Sequence, residues 1–588
     1  MPDAPAFGLT TDISYAEVLS VKPYIFVIPY KHLPLQEDSD IWQLYFKGLL
    51  KENIEIYFDF LDYYLFLGNN VEYNNAVCYH YVYKIQYRTF AKGVINIKML
   101  EAYIHTSDNN IRCRTEHTET IADILEKNGF FLSKPCGGNG KCGKCAVRAE
   151  GSLSPLTAEE QRLRSSGLLH SNERLACCAA ITGEAHIYLD TACSNFSVQS
   201  VTRGKMPEFI KDAPEALKEG YGIAVDIGTT TVAAYLYHFP DGIQERSLCY
   251  PNPQAAFGGD VISRIEYANS GGLKDLQEKI CGLLKQIIGE FGKPPKKLVI
   301  TGNTTMLHLL TGLDPASIAV APFRPASLFG IRKGKVYIPP CISAYVGADI
   351  TCAVLASAMT EKSCSLLVDI GTNGEIAFWD GKRLMCCSAA AGPVFEGAGI
   401  SQGMIAANGA ISKVQYINGE YIYETVGGRA PLGVCGTGLI DMIACMLQSG
   451  ALENTGFTAQ DTEIGSSGIF IRREDVRGVQ LAKAAIRAGI ETLLRKSGRK
   501  AEDIEAFYLC GGFGSYLNYE SCAAIGMVPP GLSERVQVIG NASGTGAAMI
   551  LQSDSCRIQA EKTAREAEST ELSADPLFME LYCDNMMF

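Results

Sequence analysis

One segment of this chain occurs twice. Gly222-Ile-Ala-Val-Asp-Ile-Gly-Thr-Thr-Thr231 returns in altered form as Leu366-Leu-Val-Asp-Ile-Gly-Thr-Asn-Gly-Glu375, and an internal repeat of this kind narrows the fold before anything else is read. Each copy is a short apolar run, hence a buried strand, that ends in an Asp and passes through Gly into hydroxyl or amide residues at a tight turn. Backbone N–H groups in such a turn can point at phosphate oxygens, and glycine lets the chain come close without a Cβ in the way. The two copies, Asp226 to Thr231 and Asp369 to Glu375, are expected to face each other as halves of one nucleotide clamp.

At 588 residues the chain exceeds what one core can hold, and its length suggests three to four domains. A formal charge of −12 argues against nonspecific nucleic-acid binding as its main task. No secretory n-region and h-region opens the sequence and no run of about 18 uncharged apolar residues appears, so a cytoplasmic protein with no membrane partner is expected. Twenty-one Cys in that compartment are buried thiols or metal ligands, because disulfides do not persist there.

Residues 1–92 read as an N-terminal extension without a motif; runs such as Ile54 to Leu67 fit strand or helix equally well. Beyond them, Ile95 to Lys98 and Asn110 to Thr115 alternate as strands, and Thr120 to Lys127 has helical spacing. Then comes Cys136-Gly-Gly-Asn-Gly-Lys-Cys142-Gly-Lys-Cys145. Three Cys at C-x5-C-x2-C in a glycine-rich loop can wrap an inorganic cluster, with exposed N–H groups bonding the sulfides. A fourth thiolate is expected in Leu175-Ala-Cys177-Cys178, ahead of a strand at Ala185 to Leu189. A structural zinc site is the alternative, although such sites usually pair two CxxC knuckles and here there is one.

Residues 93–192 resemble a β-grasp [2Fe–2S] ferredoxin domain. That resemblance implies the metal ligands Cys136, Cys142, Cys145 and, from the family's Arg-Leu-Ala-Cys segment, Cys177; Cys178 is an adjacent thiol able to substitute. Residues 193–218 read as a linker that lets an electron carrier swing. From 219 the chain resembles the acetate and sugar kinase, Hsp70 and actin superfold, with a first lobe at 219–362, a second at 363–551 and a tail at 552–588. The expected class is thus a multidomain α/β and α+β chain, a β-grasp ferredoxin followed by a two-lobed actin-like ATPase.

The combination is similar to one family, the ATP-dependent reductive activators of corrinoid proteins. The matching segments are the ferredoxin loop, Asn252-Pro-Gln254, Gly302 to Met306, Asp369 to Glu375, Ala391 to Gly397 and Gly511-Gly-Phe-Gly514. What the resemblance implies is one-electron reduction of Co(II) to Co(I) in a corrinoid protein, from the [2Fe–2S] cluster and coupled to ATP hydrolysis with Mg²⁺. At about 59 mV per tenfold, an uphill gap of ~200 mV costs on the order of 4–5 kcal/mol, which lobe closure on nucleotide would offset. Gly228, Thr229, Thr230 and Thr231, with Gly371, Thr372, Asn373 and Gly374, would bind phosphate. Asp226 and Asp369 would hold Mg²⁺ or orient the attacking water, and Gly511, Gly512 and Gly514 would admit the adenosine.

Other residues stay open between two readings: Asn303, Thr304 and His308 as a partner surface or as helix capping, and Glu396 as catalytic or structural. Cys386, Cys387, Cys435 and Cys510 are expected to be small buried hydrophobes. The charged run from Ala560 to Glu568 reads as a solvated helix or disordered, and Asp575 to Tyr582 as a segment that docks back. The partners implied are a corrinoid protein or methyltransferase and an upstream low-potential electron donor, with a homodimer left open. An ATP-gated donor to another metalloenzyme, as in the activators of 2-hydroxyacyl-CoA dehydratases, and a non-enzymatic nucleotide-binding redox sensor are the alternatives.

Overall fold

The computed structural model describes residues 99–106, 110–115, 118–128, 130, 132, 138, 140, 143, 145–165, 167, 169–189, 206–212, 219–511 and 517–588. The chain divides into Met1–Asn96, which lies outside these residues, and one compact unit, Ile97–Phe588. The expectations for 54–67 and 95–98, and the candidates Cys136, Cys142, Gly512 and Gly514, also lie outside the described residues.

The first sheet is built from β1 (Leu100–His105), β2 (Asn110–Thr115), β3 (Ala146–Leu153), β4 (Glu173–Leu175) and β5 (Ile181–Tyr188), in the order β2-β1-β5-β3-β4. In β1 the period-2 pattern turns Leu100, Ala102 and Ile104 inward. Helix α1 (Ile121–Lys127) covers that face, and its start is set by Thr120 and Asp123, which cap each other's backbone amides at 3.2 and 3.1 Å. With α2 (Ala158–Ser165) it closes a small core containing Leu125, Leu163, Leu175 and Ile187.

The second sheet takes β6 (Gly220–Ile227), β7 (Thr231–Phe239), β8 (Ile243–Pro251), β9 (Pro295–Gly302), β10 (Phe329–Lys333) and β11 (Val336–Pro340), ordered β10-β11-β9-β6-β7-β8. Helices α3 (Val261–Tyr267), α4 (Leu273–Phe291), α5 (Thr304–Thr311) and α6 (Ala348–Ser357) accompany it. A third sheet opens with β12 (Ser365–Ile370), β13 (Gly374–Trp379) and β14 (Leu384–Ala389). It is interrupted by an insert of β15 (Ala410–Ile417), β16 (Glu420–Thr425) and β17 (Gly433–Val434) backed by α7 (Gly436–Ser449), and by a ribbon of β18 (Thr462–Glu463) and β19 (Phe470–Ile471). After the long α8 (Arg473–Ser497) it resumes with β20 (Ala506–Cys510), then α9 (Tyr519–Ala524) and β21 (Val536–Val538).

The repeat seen in the sequence is a repeat of topology. Strand β6 pairs antiparallel with β7 and parallel with β9, and β12 pairs antiparallel with β13 and parallel with β20. Asp226 and Asp369 thus occupy equivalent places at the carboxyl ends of the two central strands, where α/β folds gather ligands.

The end of the chain ties the two sheets together. Helix α10 (Ala542–Gln552) follows the third sheet yet packs on α6, β6 and β9 of the second, so one core cluster holds Ala224 and Val299 beside Leu367 and Phe-flanked Tyr508. Helix α11 (Asp554–Glu566) buries Cys556 and Ala560 against α6 and β11; the charged run from Ala560 to Glu568 is helical as far as Glu566 and, past Ala560, half-buried or exposed, as its reading as a solvated helix has it. Strand β22 (Glu568–Ser569) adds an edge beside β14, and α12 (Pro576–Asp584) docks on α8 as the sequence suggested. Part of the expected linker is moored as well. Met206 and Phe209 pack on the inter-sheet core, and Asp212 accepts from the Ser553 and Ser555 hydroxyls, both at 2.5 Å. Residues 206–212 are therefore attached to the body rather than a free hinge.

Candidate functional site

A cleft of about 720 Å³ opens between the second and third sheets, lined by both copies of the repeat. In the first copy the Gly228 amide bonds the Thr231 carbonyl at 2.9 Å; in the second, one residue tighter, the Gly371 amide bonds the Asn373 carbonyl at 2.9 Å. Three successive carbonyls of the first turn are held from behind. Asn252 Nδ2 donates to Gly228 O at 2.8 Å, Arg264 Nη2 to Thr229 O at 2.7 Å, and the Asn252 amide to Thr230 O at 2.8 Å. A trans peptide sends its N–H opposite to its C=O. The backbone of this turn is thereby fixed where Thr229, Thr230 and Thr231 line the cleft, and the N–H groups opposite the held Gly228 and Thr229 carbonyls are kept out of those bonds, as an anion site requires.

The residues that do the holding were in the sequence, but their task was not. Asn252 also caps its own turn, accepting from Gln254 N at 3.0 Å, which explains why Asn-Pro-Gln stands at this point. Arg264 is fully buried, and burial lowers its pKa to about 10. Asn303 caps α5, accepting from Met306 N at 2.9 Å, and its Nδ2 reaches the Thr229 hydroxyl at 3.1 Å. Thr304 and His308 are fully buried, His308 lying between Thr304 O at 2.7 Å and the Ser327 amide at 3.3 Å. Of the two readings for this trio, capping and core packing hold, and the partner surface does not for Thr304 and His308.

Carboxylates gather on the cleft floor. Asp226 accepts from Asn541 Nδ2 at 2.9 Å, and burial followed by the nearby Asp369 charge pushes its pKa up to about 7. Burial pushes Asp369 up to about 6. Two more acids share the floor. Burial and the Asp226 charge raise Asp349, and burial with Asp349 and Asp369 raises Glu375, the direct strand partner of Asp369. Among the described residues no three such groups form a ready-made metal cage. Hard oxygen donors of this kind fit a Mg²⁺ held mainly by water and phosphate oxygens. Asp349 lies outside the repeat, so only the tertiary fold reveals it.

Gly511 lines the cleft and is also required by its neighbour. Its φ is +91°, and a Cβ there would stand 2.2 Å from Asp369 Oδ1, so the glycine makes room for the acid. Cys386, Cys387, Cys435 and Cys510 are buried, as their reading as small hydrophobes requires.

In the first sheet's domain Cys145 and Cys177 meet at 3.3 Å between sulfurs. Two thiolates at ~2.3 Å from one tetrahedral metal stand about 3.8 Å apart, so this pair fits a shared iron with slight opening. Cys178 Sγ lies 3.6 Å behind Cys177 and is packed where a Cβ on Gly140 would sit. Ala256 O lies 4.0 Å from the Cβ position of Gly138, beside a crevice of about 440 Å³ walled by α1 and by the Pro251 to Ala256 turn.

Comparisons with known proteins agree with this layout. Residues 104–182 match a 2Fe-2S iron-sulfur cluster binding domain, 221–362 the RACo middle region, and 363–588 the C-terminal domain of RACo, the ASKHA domain. The corrinoid activation enzyme RamQ of Eubacterium limosum is 31% identical, over 80% of this chain and 96% of its own. The [Co(II) methylated amine-specific corrinoid protein] reductase of Methanosarcina barkeri is 29% identical, over 55% of this chain and 68% of its own. Among solved structures, a reductive activator for corrinoid, iron-sulfur protein superposes with a TM-score of 0.57 at 27% identity, covering 83% of this chain and 98% of that one.

Proposed function

The chain belongs to the family of reductive activators of corrinoid proteins, which join a ferredoxin domain to an ASKHA domain, and from that premise we propose how its residues divide the task. The reaction is the one-electron return of a corrinoid protein from Co(II) to Co(I), driven by ATP hydrolysis. Cys136, Cys142, Cys145 and Cys177 hold a [2Fe–2S] cluster, which when bound supplies a single electron at low potential. The turn at Gly228 to Thr231, with Gly371 to Gly374, holds the phosphates, and Gly511, Gly512 and Gly514 flank the nucleotide. Asp226 and Asp369 orient Mg²⁺ through water or position the attacking water, assisted by Asp349 and Glu375.

Asn252 and Arg264 keep the first turn aimed, so phosphate binding requires no rearrangement of that loop. The domain boundaries at 192, 218, 362 and 551, an upstream low-potential donor and a cytoplasmic setting belong to the same reading. Among the described residues no helix is long and apolar enough to cross a membrane. The observation that carries the proposal is that both turns of the internal repeat open on one cleft, in the same compact unit as the converging thiols. The test is anaerobic mixing of the reduced full chain with a Co(II) corrinoid protein. Co(I) absorbance is expected with Mg-ATP and not with Mg-ADP, and Co(I) formation at equal rate without nucleotide sinks the coupling.

A further inference from the structure

Glu396 lies between the two turns. It ends a short 3₁₀ turn, Pro393–Glu396, that is bounded by Gly392 and Gly397, both at positive φ of 77° and 80°. Gly397 is wedged against Met404 O, 2.4 Å from the position of an added Cβ, and Phe395 is buried, so the carboxylate is presented from a fixed support. Its Oε2 accepts from the Thr230 hydroxyl at 2.8 Å and its Oε1 from the Thr372 hydroxyl at 3.0 Å. Oε1 also stands 3.8 Å from the Cβ position of Gly371. A single anionic group therefore joins the first turn to the second, using one hydroxyl from each.

We propose that the Glu396 carboxylate is a built-in stand-in for the terminal phosphate, holding the Thr230 and Thr372 hydroxyls until a nucleoside triphosphate takes them, and that it sets discrimination between triphosphate and diphosphate. This deepens the nucleotide-cleft reading above and rests on it. The physical argument is competition for donors. A threonine hydroxyl has one proton to give, so the same hydroxyl cannot serve the carboxylate and a phosphate oxygen together. A diphosphate that stops short of the bridge leaves it intact, whereas a triphosphate must break it and meets a carboxylate at contact range. Removing the carboxylate therefore favours the triphosphate selectively. Burial raises the Glu396 pKa while the Thr230 and Thr372 hydroxyls oppose that rise, consistent with a group poised between its partners.

The test is calorimetric titration of the full chain with the non-hydrolysable triphosphate AMP-PNP and, separately, with ADP, both with Mg²⁺, for wild type, Glu396→Ala, Glu396→Gln and Thr372→Val. Loss of hydrogen bonds to a charged acceptor predicts that Glu396→Ala tightens AMP-PNP on the order of tenfold relative to ADP. Glu396→Gln, which keeps an acceptor oxygen, gives a smaller gain, and the Glu396→Ala gain shrinks in a Thr372→Val background. An unchanged ratio of AMP-PNP to ADP affinity in both Glu396 variants overturns the proposal. So does a collapse of kcat for ATP with unchanged AMP-PNP affinity, which makes Glu396 a base for the attacking water instead. ADP affinity in the same sample reports a folded cleft, and if Glu396→Ala fails that check the Gln variant decides. Wild-type protein that binds neither nucleotide defeats the underlying cleft reading, a distinct result.

Discussion

Arg174 carries the cluster segment on one buried ion pair. Its Nε and Nη2 meet the two carboxylate oxygens of Glu160 at 2.8 and 3.1 Å, and Glu160 Oε1 also accepts from Leu175 N at 3.0 Å. Glu160 is fully buried and Arg174 nearly so. Burial acts to raise the Glu160 pKa, but Arg174 and the Thr157 and Leu175 amides outweigh it and hold the carboxyl below its usual range. A depressed carboxyl lends stability above the unfolded pKa of about 4 and loses it as pH falls through the folded value. Replacing Arg174 by Ala leaves Glu160 as an unpaired buried charge, at a cost of about 3–5 kcal/mol. Chemical denaturation of the full chain is expected to show a destabilised first transition, with loss of the visible cluster absorbance. The neighbouring thiols give a sharper test. Cys177→Ser is expected to lose that absorbance and Cys178→Ser to keep it, because Cys177 Sγ meets Cys145 Sγ at 3.3 Å while Cys178 Sγ lies 3.6 Å from Cys177; the reverse outcome reassigns the fourth ligand.

Elements show what a sequence can and cannot reveal. The strands at 110–115, 222–227 and 366–370 were legible because alternation or an apolar run ahead of Gly states a strand locally. The pairing of β6 with β7 and of β12 with β13 is the repeat expressed in the fold, a step the sequence reading did not take. The holding of the Gly228 turn by Asn252 was not legible, since the partners are 24 residues apart and meet only when β8 returns beside β7. Asn252→Ala removes one donor to that turn and the cap of its own, so KM for ATP is expected to rise about five- to tenfold with the fold intact, as steady-state ATPase assays would measure. The tail was half legible. Its charged run hides a helix whose buried side, Cys556 and Ala560, is too small in sequence to announce a core face. Helix α12 buries Leu581 and lays Phe578 and Tyr582 on α8, while the fully buried Lys483 donates to the Met587 carbonyl. Deleting residues 576–588 is expected to cost on the order of 3–5 kcal/mol from lost apolar burial, read as a lower denaturant midpoint.

For the whole molecule the decisive feature is the charge held between the lobes. A repeat in sequence shows two Asp, but the four acids that share the cleft floor come together only in the tertiary fold, Asp349 from the first turn of α6 and Asp226, Asp369 and Glu375 from β6, β12 and β13. Their burial, with the Asp369 charge adding to it at Asp226, has a consequence for pH. Burial pushes folded Asp226 up to about 7 and Asp369 up to about 6, above the unfolded value of about 4, so between pH 4 and 7 the native state binds more protons than the unfolded one. Stability of the nucleotide-free protein must then fall as pH rises through that window. Both side chains are half-buried at the floor of an open cleft, and water moderates the size of the effect without reversing its sign. A divalent cation brought by the nucleotide favours the ionised forms, so binding of Mg-ADP near pH 6.5 is expected to release protons. Titration in buffers of different ionisation enthalpy measures that release directly, and Asp369→Asn is expected to reduce it while flattening the fall in Tm between pH 5 and 7. Binding that moves no protons in the wild type separates these acids from the cation and leaves the phosphate turns to act alone.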